Sequence, residues 1–150
     1  MTKPILLVED SDDDLTFALR ALRRVGLHES TAVVRNGKDA LDYLSCRGVF
    51  SDRTPVNPSI VLLDLKLPFV DGLEVLRHIR GAFSLKHLPV AVMSSSCLEA
   101  DVLHAYDQGA NCFIVKPVDF GEYTQTISQT AAFWIKRNRP PPAFSQAQIL

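Results

Sequence analysis

The 150-residue chain is long enough to bury one core, and 47% hydrophobic with 22% charged content is ordinary for a globular protein. A formal net charge of -1 gives no electrostatic case for nucleic acid or an anionic membrane surface. No apolar run approaches the roughly 18 residues of a membrane span, and Met1-Thr2-Lys3-Pro4 leads straight into a strand-like segment, with no room for a signal peptide.

Cys46, Cys97 and Cys112 are odd in number and form no CxxC pair, so reduced thiols in the cytoplasm are expected rather than a disulfide framework or a zinc site. Pro4-Ile5-Leu6-Leu7-Val8 reads as a short buried strand that ends abruptly in Glu9-Asp10. Ser11 fits a helix N-cap with Asp14 at the capping-box position, and Asp12 and Asp13 suit the positive end of the helix dipole. Leu15, Leu19, Leu22 and Val25 then recur at helical spacing until Gly26. Thr31-Ala32-Val33-Val34 is a second strand, and Asn36-Gly37 turns into a helix with Ala40, Leu41 and Leu44 inward.

Between Arg47 and Pro58 periodicity disappears. That is long for a helix-to-strand connection, where roughly two to six residues are usual; it reads equally as a tolerated insertion or as a partner-facing loop. The apolar run Ile60-Val61-Leu62-Leu63 follows, closed by Asp64 and stopped by Pro68. Asp71-Gly72 opens a helix with Leu73, Leu76 and Ile79 inward. Pro89 to Met93 is a fourth strand ending in Ser94-Ser95-Ser96, and a helix from Leu98 to Gln108 stops at Gly109. Cys112-Phe113-Ile114-Val115 is a fifth strand ending in Lys116-Pro117. A last helix from Asp119 to about Lys136 carries Phe120, Tyr123, Ile127, Ala131 and Trp134 inward. The pattern predicts a domain over residues 1–138 and a Pro-rich, flexible tail over 139–150, opened by Pro140-Pro141-Pro142.

Apolar strands alternating with helices predict an α/β fold, a parallel sheet covered on both faces. Ligands bind such sheets outside the carboxyl ends of the strands. Those ends carry Glu9-Asp10, Asp64, Ser94 and Lys116. Asp64 alone reads most simply as a cap or loop residue. The set reads differently. Carboxylates about 4 Å apart repel by roughly 4 kcal/mol per pair at an effective dielectric of 20, so the edge needs a cation, and oxygen ligands favour Mg2+ before Mn2+ or Ca2+. With Lys116 for charge and Ser94 for a hydroxyl, Asp64 has what phosphoryl transfer requires.

In this order and spacing, Glu9-Asp10, Asp64 within Leu-Leu-Asp-Leu-Lys-Leu-Pro, Asp71-Gly72, Ser94 and Lys116-Pro117 resemble the response-regulator receiver domains of two-component signalling, over residues 4 to about 136. The resemblance implies a flavodoxin-like five-stranded sheet in the order 2-1-3-4-5 with five helices. It implies Asp64 as phosphoacceptor from a histidine kinase, with Mg2+ held by Asp10, Asp64 and the main-chain carbonyl of Lys66, and by Glu9 through water. Lys116 would contact the acyl phosphate, Lys116–Pro117 would be a cis peptide, and Ser94 and Phe113 would form the switch pair. Glu9 replaces a commoner Asp and Ser94 a commoner Thr, each keeping the required chemistry. Ser96 and Lys66 stand where the family tunes access of water.

The long loop, Ser94-Ser95-Ser96, Asn111-Cys112-Phe113 and Phe133-Trp134-Ile135 are further similar to stand-alone regulators paired with phytochrome kinases, which commonly dimerise through the helix 4–strand 5–helix 5 face. Phe133, Trp134 and Ile135 present more apolar surface than one helix face buries, and so suggest a dimer contact. The expectation is a cytoplasmic regulator, not an enzyme, that accepts phosphate on Asp64 from a sensor kinase, a phytochrome, and signals by protein contacts without nucleic acid, a membrane or an output domain. A phosphorelay intermediate or phosphate sink for another kinase is the alternative. An aspartyl-phosphate phosphohydrolase fits less well, because Lys66 stands where its second aspartate would.

Overall fold

The computed structural model describes residues 3–142, so the tail expected over 139–150 lies largely outside the described residues. Five strands, β1 (Ile5–Val8), β2 (Thr31–Val34), β3 (Ile60–Asp64), β4 (Val90–Ser94) and β5 (Cys112–Val115), form one parallel sheet in the order β2-β1-β3-β4-β5. Helices α1 (Asp12–Arg24), α2 (Gly37–Leu44), α3 (Gly72–Gly81), α4 (Glu99–Asp107) and α5 (Phe120–Ala132) cover it. This is the flavodoxin-like receiver architecture that the motifs imply.

Each strand is apolar on both faces, and the two-residue period of a strand divides its side chains between two cores. Leu6, Val8, Val61, Leu63, Val90 and Val92 pack with Tyr43 and Leu44 of α2, Leu76 and Ile79 of α3 and Ala105 of α4. Ile5, Leu7, Ile60, Leu62, Ala91 and Met93 pack with Ala18 and Leu22 of α1 and with Tyr123, Ile127 and Ala131 of α5. Extending that alternation past the strand ends sends Glu9, Asp64 and Lys116 toward α1 and α5. Asp10 and Ser94 fall on the opposite side, toward α3 and α4.

The helix starts follow local chemistry. The side chains of Ser11, Asn36, Asp71 and Asp119 accept from the backbone N–H groups of Asp14, Asp39, Glu74 and Glu122, capping α1, α2, α3 and α5. Gly72 is needed for space: a Cβ there would stand 2.5 Å from the Asp64 carbonyl oxygen.

Two elements and one side chain differ from expectation. β4 is one residue longer at its end and includes Ser94, because Ser94 remains in register with Val115 and its carbonyl accepts from Lys116 N–H at 2.7 Å. The last helix leaves α geometry at Phe133 for a π turn over Phe133–Arg137. The extra residue in that turn lets the adjacent Trp134 and Ile135 both pack against the α1–α5 core, while Phe133 stays exposed with its ring 5.3 Å from Trp134. Phe120, expected inward, is 46% exposed and stacks edge-on against Phe17 at 4.5 Å.

Arg53 holds together much of the aperiodic segment before β3. Arg53 lies 4.0 Å over the Tyr43 ring and donates to the carbonyls of Tyr43 and Val56. Val56, Pro58, Phe83 and Leu88 border a groove of about 1000 Å³ at the amino-terminal edge of the sheet.

Candidate functional site

The carboxyl ends of β1, β3, β4 and β5 bring Glu9, Asp10, Asp64, Ser94 and Lys116 to one edge. Carboxylate oxygens of Glu9, Asp10 and Asp64 all lie within 4.8 Å of one another. Asp64 is 6% exposed and Glu9 is fully buried. Their oxygens are not orphaned: Glu9 Oε1 accepts from Ser11 N–H at 3.1 Å and Asp64 Oδ1 from Lys66 N–H at 3.1 Å. Their remaining oxygens meet the Lys116 ammonium, at 2.9 Å for Glu9 Oε2 and 3.1 Å for Asp64 Oδ2.

Asp14 supplies a third carboxylate to Lys116, at 2.8 Å. It is the functional neighbour that the sequence hides. Its position in the first turn of α1 reads as capping, and its backbone N–H does bond Ser11 Oγ at 3.3 Å. That bond leaves the Asp14 carboxylate unused by the cap and pointed at β5. Asp14 shares the helix face of Ala18 and Ala21, and it is the packing of that face toward α5 that brings its carboxylate to Lys116.

Burial pushes the Glu9 carboxyl up to about 7, reinforced by the Asp64 charge and opposed by Lys116. For Lys116, burial favours the neutral amine, but the hydrogen bonds it donates to Asp14 and Glu9 and the charge of Asp64 outweigh it, so the ammonium is held well above its usual range. The site therefore keeps a fixed cation against a carboxylate cluster that still carries excess negative charge. An all-oxygen donor set of this size suits a hard divalent ion.

On the α3–α4 side, a cleft of about 550 Å³ reaches this edge, lined by Asp10, Lys66, Ser94, Ser96 and Asp101 among others. Ser94 Oγ accepts from Ser96 N–H at 3.1 Å, and Ser96 Oγ donates to Asp101, tying the loop after β4 to the first turn of α4. Phe113 is partly buried against the core beneath this side. Phe133 and Trp134 lie beyond the far end of α5, which spans roughly 20 Å at 1.5 Å per residue, and the structure does not bring them to the site. Lys116–Pro117 is trans, as is every peptide bond among the described residues, which corrects the cis bond implied by the resemblance. Trans is the favoured isomer at X–Pro by about 0.5–1 kcal/mol, and in it Lys116 already reaches Glu9, Asp14 and Asp64.

A parallel 2-1-3-4-5 sheet with an acidic triad, a serine and a lysine at its carboxyl edge defines a receiver module. The chain belongs to the response regulator receiver domain family, whose model matches residues 5–128. These are signalling proteins. Among curated relatives it is 36% identical over 137 residues to the probable methanogenesis regulatory protein FilR2 of Methanothrix harundinacea, covering 91% of this chain and 86% of that protein. It is 33% identical over 141 residues to the response regulator Rcp1 of Synechocystis, covering 94% and 95%. The solved phosphorylated cyanobacterial phytochrome response regulator RcpA superposes with a TM-score of 0.86 at 34% identity, covering 95% of this chain and all of that one. The bacteriophytochrome response regulator RtBRR is 47% identical with a TM-score of 0.75, covering 95% and 86%. Rcp1 has also been solved with Mn2+ bound, at a TM-score of 0.84 and 31% identity over 92% of this chain and 98% of that one. The family and its stand-alone phytochrome-associated branch are thus those the motifs resemble. Among the described residues no helix is long and apolar enough to cross a membrane.

Proposed function

We propose that this chain accepts a phosphoryl group on Asp64 from the phosphohistidine of a sensor histidine kinase, a phytochrome, and signals in the cytoplasm through protein contacts. The observation that carries the reading is the Asp64 carboxylate, buried against Lys116 within an acidic triad and beside a cleft lined by Asp10, Lys66 and Ser94. An Asp64 oxygen attacks phosphorus; the P–N bond to the kinase histidine breaks, and its electron pair returns to the imidazole. Lys116 neutralises charge on the transferred oxygens, and Lys66 N–H orients the carboxylate.

Glu9, Asp10 and Asp64, with the Lys66 carbonyl, would hold Mg2+ or Mn2+, which when bound offsets the charge of attacking carboxylate and phosphoryl group. The acyl phosphate adds about 1.5 to 2 negative charges and three acceptor oxygens. Ser94, on the cleft side, turns toward them, and Phe113 follows into the space. The surface biased by that pair is α4, β5 and the start of α5, where Leu103, Tyr106, Val115, Val118 and Phe120 are exposed. We assign this face to homodimerisation, with Phe133 and Trp134 as a secondary contact. Residues 1–138 form the receiver and 139–150 its tail.

Labelling from a phosphorylated phytochrome kinase, or from acetyl phosphate with Mg2+, is expected for the wild type and absent in Asp64→Asn. Undiminished labelling of that variant overturns the assignment.

A further inference from the structure

An ammonium has three N–H donors, and in Lys116 each faces a different carboxylate: Glu9 at 2.9 Å, Asp14 at 2.8 Å and Asp64 at 3.1 Å. A phosphoryl group on Asp64 takes over the donor that already faces Asp64, and its three acceptor oxygens compete with Glu9 and Asp14 for the other two. The three carboxylates are not equivalent. The Glu9 side chain is fully buried and that of Asp64 is 9% exposed, whereas Asp14 is 33% exposed. A buried carboxylate that loses its ammonium is left uncompensated, which is strongly unfavourable. Asp14 can exchange the lysine for water.

Building on the acceptor reading of Asp64, we infer that Asp14 is a positioning residue: it holds the Lys116 ammonium while Asp64 is bare, and yields that donor to the phosphoryl oxygens once Asp64 is modified. Asp14 thereby competes with the phosphoryl group for one cation and sets how tightly the pocket grips it. Two features free Asp14 for this role. The cap of α1 uses the Asp14 backbone N–H and not its carboxylate. The carboxylate also lies outside the triad whose oxygens converge within 4.8 Å, so it acts on the lysine and not on a divalent ion. The Tyr123 hydroxyl, 3.4 Å from the Asp14 carbonyl oxygen, helps fix this turn of α1 against α5.

The test is a titration with beryllofluoride, a phosphoryl mimic, in the presence of Mg2+, followed by 19F NMR. Asp14→Asn keeps the backbone cap and removes the competing charge, so it binds beryllofluoride more tightly, by roughly two- to fivefold as expected for a partly exposed ion pair. Asp14→Glu restores binding toward the wild-type value. Asp13→Asn removes the same charge from the same helical turn, at an exposed residue with no ion pair among the described residues, and leaves binding unchanged. A gain in affinity cannot arise from misfolding. Equal or weaker binding by Asp14→Asn, or an equal gain in Asp13→Asn, overturns the role of Asp14 while leaving Asp64 as acceptor. Absence of beryllofluoride binding by the wild type overturns the acceptor reading, and the role of Asp14 with it.

Discussion

The backbone of Gly72 lies against that of Asp64, so closely that a Cβ at Gly72 would stand 2.5 Å from the Asp64 carbonyl oxygen and 2.6 Å from Leu65 Cα. Backbone cannot swing aside as a flexible side chain does. Gly72→Ala is expected to shift the loop after β3 and to destabilise the fold by about 1–3 kcal/mol. Urea unfolding measures the loss. Labelling of Asp64 should fall too, because the shifted loop carries the Lys66 N–H that orients its carboxylate.

Phe69 is the reverse case. It has φ of 69° and sits inside a three-residue turn closed by the Val70 N–H to Pro68 carbonyl bond at 3.0 Å. A bulky residue in the left-handed region is strained, by about 1–2 kcal/mol. Its ring is 86% exposed, so little burial offsets that strain. Phe69→Gly is expected to raise the midpoint of thermal unfolding by roughly 2–4 °C for each kcal/mol relieved. An unchanged or lower midpoint would show that the strain relieved is no larger than the added unfolded-state freedom of glycine.

The Glu9 carboxyl, pushed up to about 7 from an ordinary 4.5, sets a pH dependence. Between those values the folded chain binds more protons at this group than the unfolded chain, so its contribution to stability falls as pH rises. In EDTA, wild-type stability should decline from pH 5 to 8 more steeply than that of Glu9→Gln, which cannot ionise. A divalent ion should act in the opposite sense, with Mg2+ stabilising the wild type more at pH 8 than at pH 6. Parallel pH profiles for the two proteins would rule this out.

Arg80 ties three segments together beneath the sheet. Its guanidinium donates to the carbonyls of Gly109 at 2.9 Å, Lys86 at 3.1 Å and Leu88 at 2.7 Å, and to Asn111 Oδ1 at 2.8 Å. Asn111 Oδ1 in turn accepts from Val90 N–H at 2.7 Å, at the start of β4. Arg80→Ala is expected to cost about 2–3 kcal/mol. Arg80→Lys should recover only part of it, since an ammonium cannot reproduce the planar fork. Chemical denaturation of both variants is the check.

Much of the site was legible because its chemistry is interrupted hydrophobicity. Glu9, Asp10, Asp64, Ser94 and Lys116 each follow an apolar run, and a parallel sheet gathers such run ends at one edge. Asp14 was not legible in that way. Its helical position explains it completely in local terms, and only the packing of α1 against α5 reveals where its carboxylate points. The π turn at Phe133–Arg137 escaped for a related reason, since a 3.6-residue period cannot signal its own departure. Nor could periodicity find the ordering of the segment before β3, where Arg53 stacks on Tyr43 and donates to the Tyr43 and Val56 carbonyls.

The division of β-strand side chains between two cores reaches past the sheet into signalling. Lys116, Glu9 and Asp14 govern charge from the α1–α5 side, while Ser94, Ser96 and Lys66 border the entrance from the α3–α4 side. If Asp64 is the acceptor, substitutions on the α1–α5 side would act on the charge around it, and substitutions on the α3–α4 side on what reaches it, so one reactive group would be open to adjustment from two separate surfaces.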